Sequence, residues 1–326
     1  MGSTMDDAWS EYWAAGYSHS CPTTFSTTYY GKSTRRFWRS LITDVSSEDC
    51  WLELCCGGGG LIRLLAETSD DISMPRVIGV DLAEVRAPLG RALSHLPATK
   101  RSRIQVLEKV NATRMPIEAG SVSVIASQYG FEYVDATGIR RECERVLSPR
   151  ATLALVLHKE RSRLHLVAKA ELELIDQALA EGGLLDCCIR AIPFAAASRA
   201  NAAVGVDAAR VRAEYNRAVR MIVGEWLDGP AGECADQLLR SCGNLIAGAT
   251  PGNVQAAAAQ ILRIRHAVTR QRERLAALDE AALGVDGIEN IEGWLRHIGF
   301  SDTFISPLSE DGYEVGWTLI SRRNDD

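Results

Sequence analysis

One stretch constrains this chain more than any other: Trp51-Leu-Glu-Leu-Cys-Cys-Gly-Gly-Gly-Gly-Leu-Ile. A short apolar run carries an acid, Glu53, and four glycines then lead directly into a second apolar stretch. Glycine reaches positive φ without a Cβ penalty and lets a bound group approach the backbone, while the first N–H groups of a following helix point outward. The pattern therefore reads as strand, ligand-facing turn and helix. It is not the dinucleotide fingerprint Gly-x-Gly-x-x-Gly. Counted from Gly57 and Gly59 the third glycine falls on Ile62, and counted one residue later it falls on Arg63.

The rhythm around this turn gives the fold class. Apolar runs at 51–55, 77–80, 104–107, 122–126 and 152–157 alternate with helical stretches at 59–67, 83–94 and 138–147. Such alternation predicts a parallel sheet wrapped by helices. A helix over 292–298 closed by Gly299 is followed by two further strand-like runs, 304–306 and 313–321. Between 159 and 288 the strand signal vanishes. Leu164, Ala168, Leu172, Ile175 and Leu179 form one helical face, and Val211, Tyr215, Val219, Ile222 and Trp226 another. After Pro251-Gly252, Val254, Ile261, Val268 and Leu275 repeat every seven residues, as do Ala257, Ile264, Gln271 and Leu278. Heptad spacing fits a helix packed inside its own chain or a homodimer contact, and spacing alone does not separate them. The expected organisation is an aromatic N-terminal lid over 1–49, a core over 50–158 and 289–326, and a helical insertion over 159–288.

Composition removes several classes. The 326 residues include 36 Lys and Arg against 42 Asp and Glu, a net charge of −6 that gives no electrostatic reason to expect nucleic acid. Arg263, Arg265, Arg270, Arg272 and Arg274 cluster on the heptad helix without interleaved aromatics, which fits a solvated face. No run approaches the ~18 apolar residues of a membrane helix. The first residues lack the basic and apolar regions of a secretion signal. Nine cysteines without CxxC spacing and six scattered histidines give no support for a metal site, and reduced thiols in a cytoplasm are expected.

The order of motifs resembles class I S-adenosylmethionine-dependent methyltransferases. That family's first motif is acidic-x-Gly-x-Gly-x-Gly, and Glu53, Cys55, Gly57 and Gly59 stand at those positions, with Cys55 in place of the first glycine. Val77-Ile-Gly-Val-Asp81 resembles its second strand, whose terminal acid binds the ribose hydroxyls; Leu82 follows. Asn111-Ala112 resembles the adenine-contacting stretch, with the Asn111 carbonyl oxygen left to accept from the adenine amine. Residues 121–134, 144–152 and the Gly299-Phe300 to Gly316-Trp317 segment resemble the fourth strand, the turn into the fifth, and the closing hairpin. The resemblance implies a Rossmann-like, doubly wound, mostly parallel seven-stranded sheet and S-adenosyl-L-methionine as cofactor.

It also implies where the acceptor sits. Ser127-Gln-Tyr-Gly130 stands where nucleic-acid and glutamine methyltransferases of the family carry Asn/Asp-Pro-Pro-Tyr/Phe, so a small-molecule acceptor is expected. Gln128, Tyr129 and Glu132 then line the site at the end of the fourth strand, with Tyr129 also a catalytic candidate. His158, just past the fifth strand, and His19 are candidate bases, since a neutral imidazole suits proton transfer near pH 7. Arg161 is a candidate for holding an anionic acceptor. Tyr12, Trp13, Tyr17, Tyr29 and Tyr30 are candidates for covering it. The alternative is a non-catalytic cofactor-binding subunit whose helical insertion binds a partner protein.

Overall fold

The seven apolar runs are the seven strands of one sheet. The computed structural model describes residues 5–17, 31–202 and 205–323. In chain order these form α1 (Met5–Ala14), α2 (Lys32–Ile42), β1 (Cys50–Leu54), α3 (Gly60–Thr68), β2 (Arg76–Val80), α4 (Arg86–Ala92), α5 (Ala98–Arg101) and β3 (Ile104–Leu107). There follow β4 (Val122–Gln128), α6 (Ala136–Val146), β5 (Leu147–Leu157), and the helices α7 (Arg163–Leu179), α8 (Leu184–Arg199), α9 (Val206–Trp226), α10 (Gly232–Gly248) and α11 (Val254–Ala281). The chain closes with α12 (Val285–His297), β6 (Asp302–Glu310) and β7 (Tyr313–Arg323). His19, Tyr29 and Tyr30 lie outside the described residues. No described helix is long and apolar enough to cross a membrane.

Strand order is β3-β2-β1-β4-β5-β7-β6, with β1 to β5 parallel and β7 antiparallel to both neighbours. The central strands are apolar on both faces because helices cover both. Trp51, Val77, Val124, Ala126, Ala154 and Val156 join one core with α2, α3 and α4. Leu52, Leu54, Ile78, Val80, Ile125 and Leu155 join the other with α6 and α12. The period of two along each strand thus sorts its residues between two layers. From β1 the order runs one way to β2 and β3, then jumps to the other side for β4. The crevice beyond the carboxyl ends at such a reversal is where open α/β sheets bind ligands.

Several polar ties hold the elements that border this crevice. Ser123, at a position the family fills with aspartate, accepts from the Cys50 N–H at 2.8 Å and donates to the Cys50 carbonyl at 3.3 Å, stitching β4 to β1. The loop over 111–117 is clasped by α6: Glu142 accepts from the Met115 N–H at 2.5 Å, and Arg145 donates to the Met115 and Ile117 carbonyls at 3.1 and 2.7 Å. The Arg145 guanidinium holds the Glu142 carboxyl below its usual range. Past β5, the Arg161 N–H donates to His165 Nδ1 at 2.9 Å, so the imidazole proton sits on Nε2, 2.8 Å from Asp279 Oδ1. Backbone bonds between 158–160 and Leu283 complete that clasp.

The chain divides into two compact units, Met1–His165 with Ala277–Asp326, and Leu166–Ala276. In the second, α8, α9 and α10 pack on one another. Ala257, Ile261, Val268 and Leu275 of the heptad face are buried within the chain. The seam's polar member, Gln271, donates to Glu171 of α7 at 2.9 Å. These members of the seam are covered by other residues of the same chain.

The N-terminus of α2 is capped from far along the chain. The Glu310 carboxylate accepts from the Ser33 and Thr34 backbone N–H groups at 3.2 and 2.7 Å and from the Thr34 hydroxyl at 2.8 Å. A Cβ on Gly31 would collide with that carboxylate. Free N–H groups and the helix dipole both favour an anion there. Glu310→Ala should cost about 1–2 kcal/mol, seen as a lower urea midpoint with an unchanged slope.

Candidate active site

The glycine turn adopts the conformations that its residues foretell. Gly57 has φ 49° and Gly59 has φ 75°, the latter in the left-handed region as the N-cap of α3. Cys55 also has φ 54°. That region costs an L side chain about 1–2 kcal/mol, which explains why the family places glycine there. The Cys55 thiol is turned toward the end of β4, where it donates to the Gly130 carbonyl at 3.5 Å. At Gly57 the space a Cβ would take is filled by the Trp13 ring, whose nearest carbons lie 2.5–2.9 Å from that point. The Asp81 carboxylate fixes the turn: Oδ2 accepts from the Gly57 N–H at 2.7 Å and Oδ1 from the Ala83 N–H at 2.8 Å.

A cavity of about 730 Å³ opens beyond this turn, between the ends of β1, β2 and β4. Three of its polar side chains hold buried atoms without a hydrogen-bond partner among the described residues: Glu53 Oε2, Gln128 Nε2 and Glu132 Oε2. Glu53 is 4% exposed, and burial pushes its carboxyl well above the usual range, with the Asp81 charge adding to the rise. An accepted bond from the Ile62 N–H only partly offsets this. Gln128 is oriented by Trp38, whose indole N–H donates to its Oε1 at 2.5 Å. Glu132 is half-buried as a residue, but its Oε2 is sealed from solvent, and burial pushes its carboxyl up to about 7. Its Oε1 accepts from the His158 backbone N–H at 2.6 Å. Unpartnered buried polar atoms are costly, and a ligand that supplies partners removes the cost.

Most expected cofactor residues meet here: Glu53, Cys55, Gly57, Asp81, Leu82, Asn111, Ala112 and Gln128 all line the cavity. Gly59 does not; it shapes the turn, with Leu89 packed where its Cβ would be. Asn111 needs a correction. Its Oδ1 already accepts from the Thr113 N–H and hydroxyl, both at 2.9 Å, so both lone pairs are used and only the amide nitrogen remains for a ligand.

His158 is also corrected. It does not line the cavity but lies behind Tyr129, its ring stacked on the phenol at 4.4 Å. Burial pushes its imidazole down to about 3, so it is neutral and shut off from an acceptor. Tyr129 does line the cavity, with φ 53° and a hydroxyl that donates to the Val315 carbonyl at 3.3 Å. The side chain of Arg161 is 86% exposed and stands outside the cavity. Among the described aromatic candidates Trp13 lines it; Tyr12 and Tyr17 stack on each other at 4.5 Å and do not. Trp9, Tyr133, Asp135 and Glu280 line it unforeseen. Trp9 and Trp13 carried a signal, the four-residue spacing that puts both indoles on one face of α1, parallel at 5.7 Å. Glu280 carried none, because ties distant in sequence, the clasp at His165 among them, hold the end of α11.

The raised Glu132 carboxyl has a linkage consequence. The folded state keeps its proton up to about pH 7, whereas the unfolded chain releases it near 4.5, so rising pH between these values draws stability away from the native state. Glu132→Gln cannot titrate and escapes that loss. The stability of Glu132→Gln relative to wild type should therefore rise between pH 4.5 and 7, by on the order of 2 kcal/mol, and level off above. Urea unfolding of both proteins across that range measures it.

Residues 52–155 match the family model described as a methyltransferase domain. No curated protein matches. Among solved structures, the chain is similar to an S-adenosylmethionine-dependent methyltransferase from Aquifex aeolicus, 17% identical over 38% of this chain and 66% of that one, with a TM-score of 0.32. A second, from Mesorhizobium loti, is 21% identical over 40% of this chain and 54% of that one, also with a TM-score of 0.32. A Galdieria sulphuraria protein, provisionally a sarcosine dimethylglycine methyltransferase, is 14% identical over 98% of this chain and 99% of that one, with a TM-score of 0.44. The chain spans between about half and two thirds of the length of the first two. The glycine turn, the motif order and the match to the methyltransferase-domain model coincide on one segment, residues 52–155.

Proposed function

We propose that this chain transfers the methyl group of S-adenosyl-L-methionine to a small molecule held in the cavity beyond β1, β2 and β4. The observation that carries this is a pair of buried polar atoms on either side of the glycine turn, Glu53 Oε2 and Gln128 Nε2, without a hydrogen-bond partner among the described residues. They suit the two ends of an amino acid moiety: the carboxyl of Glu53 for an ammonium group, the amide N–H of Gln128 with the turn's own N–H groups for a carboxylate. Asp81, at the end of β2, places a carboxylate at the cavity for ribose hydroxyls, and Leu82 and Ala112 offer apolar contact for a base. The volume, about 730 Å³, lies within the range of about 300–1,000 Å³ found for small-molecule sites. The eight free cysteines of the described residues agree with a cytoplasmic setting.

When bound, S-adenosylmethionine supplies a methyl group already activated on a sulfonium, and its transfer is an in-line displacement. The chain's share is positioning and exclusion of water. The indoles of Trp9 and Trp13 and the phenols of Tyr129 and Tyr133 wall the cavity, and aromatic faces attract a cation. Trp13 packs directly on Gly57, so the same ring that covers the turn fixes how close a ligand comes to its backbone.

Calorimetry with S-adenosylhomocysteine tests the binding half of this reading. Asp81→Ala loses a ligand acceptor and both hydrogen bonds that hold the turn, and should weaken that affinity tenfold to a hundredfold, or about 1.5–3 kcal/mol. An unchanged affinity removes Asp81 from the site. Release of S-adenosylhomocysteine from S-adenosylmethionine, upon addition of a protein-free small-molecule extract, tests the catalytic half and separates an enzyme from a binding subunit.

A further inference from the structure

The side chains facing the cavity are one-sided in charge. Among the described lining residues five carry carboxyl groups, Glu53, Asp81, Glu132, Asp135 and Glu280, and none is lysine, arginine or histidine. On the reading proposed above, Glu53 and Asp81 serve the methyl donor. Three carboxyls then remain for the acceptor. Asp135 caps α6, accepting from the Gly138 N–H at 2.6 Å, and Glu280 is exposed at the end of α11. Glu132 differs from both. One oxygen is fixed by the His158 N–H, and the other is buried and has no hydrogen-bond partner among the described residues, on a residue that lines the cavity.

An anionic acceptor would meet carboxylates here and no counter-charge from these residues. A neutral alcohol would leave the acidic wall without purpose. A cation satisfies it, and the aromatic wall of Trp9 and Trp13, with the Tyr133 ring edge-on to Trp9 at 6.3 Å, favours the same sign. We infer that the methyl acceptor is a primary or secondary amine, bound as its ammonium form, and that Glu132 is the group that accepts its proton. This inference rests on the methyl-transfer reading of the cavity and deepens it.

The chemistry requires such a group. An ammonium nitrogen has no lone pair with which to attack. Glu132 Oε2 takes one N–H proton, and the nitrogen regains its electron pair. The nitrogen–carbon bond then forms as the carbon–sulfur bond breaks, and sulfur keeps the bonding pair. The products are a methylated ammonium ion, a thioether and a protonated Glu132, which returns its proton to solvent. A carboxyl pushed up to about 7 is matched to this exchange at neutral pH better than an ordinary glutamate. His158 supports it through its backbone N–H, which aims the carboxyl, while its buried imidazole stays out of the reaction.

The test uses the full chain saturated with S-adenosylhomocysteine, and calorimetry with matched probes: benzylamine, benzyl alcohol and benzoate, then butylamine, butanol and butyrate. At least one amine should bind tenfold or more tightly than the alcohol of its own skeleton, with the carboxylate weakest. Glu132→Gln should lose that tenfold preference while S-adenosylhomocysteine affinity stays at the wild-type value. Glu132→Asp, which keeps the charge but draws it back, should restore part of it. An alcohol or carboxylate that binds as tightly as its amine overturns the inference. So does a loaded protein that takes no amine, or a Glu132→Gln variant that keeps the preference. If S-adenosylhomocysteine itself does not bind, the methyl-transfer reading falls and takes this inference with it; failure with the loaded protein overturns the acceptor assignment alone.

Discussion

The carboxylate of Asp81 is the point on which the site depends. Strand order reverses between β1 and β4, and the reversal leaves a gap in which a turn must be held away from both strands. Four glycines make that turn possible but do nothing to fix it, since glycine is the residue with the most freedom to lose. One acid at the end of β2 supplies the missing constraint. It takes N–H groups from Gly57 on one side and Ala83 on the other, so the turn after β1 and the loop after β2 share a single anchor. Both donors are backbone groups, so side-chain substitution cannot remove them.

Around this anchor the chain gathers more acid than an isolated protein readily tolerates. Glu53 and Glu132 are buried, and each carboxyl is raised by desolvation. At rest the cavity therefore avoids part of the like-charge repulsion by keeping protons. A cation entering it releases those protons and is met by charge that did not exist beforehand. Attraction of that kind is strongest in a water-poor pocket, where field lines are least screened. The walls of tryptophan and tyrosine contribute to it by excluding water as well as by their own polarity.

Much of this was legible in the residues, and the exceptions have physical reasons. The strands declared themselves because each is an apolar run bounded by turn residues; 104–107 coincides with β3, and 77–80 falls one residue short of β2. The acid-glycine pattern located the turn, and strand-end logic located Asp81 and Gln128. Two readings failed for one shared reason: a position past a strand does not say which way a side chain points. His158 follows β5 yet turns behind Tyr129, and Arg161 sits one residue beyond the last backbone tie to Leu283 and points to solvent. Asn111 is in place, but its oxygen is consumed by the neighbouring Thr113, a local competition that short polar side chains favour in turns. Glu280 lies where a contact between residues 114 apart, His165 and Asp279, and the ties of Leu283 to 158–160 hold the end of α11. Its charge, exposed in any helical reading, gave no sign of this.

The cap on α2 bears on how the molecule is assembled. Lys32–Ile42 is synthesised well before the carboxylate that terminates its N-terminal turn, which lies 276 residues later. β7, to which β5 must pair, is later still. During synthesis the parallel strands β1 to β4 can align while the edge of β5 remains open and α2 remains uncapped. An unpaired β5 edge beside an unfinished layer is a site for wrong partners. The final hairpin closes both at once, β7 along the strand and Glu310 at the helix. The β6–β7 hairpin thus acts as a latch, and nascent protein lacking it should engage chaperones at β5 before any other part of the sheet.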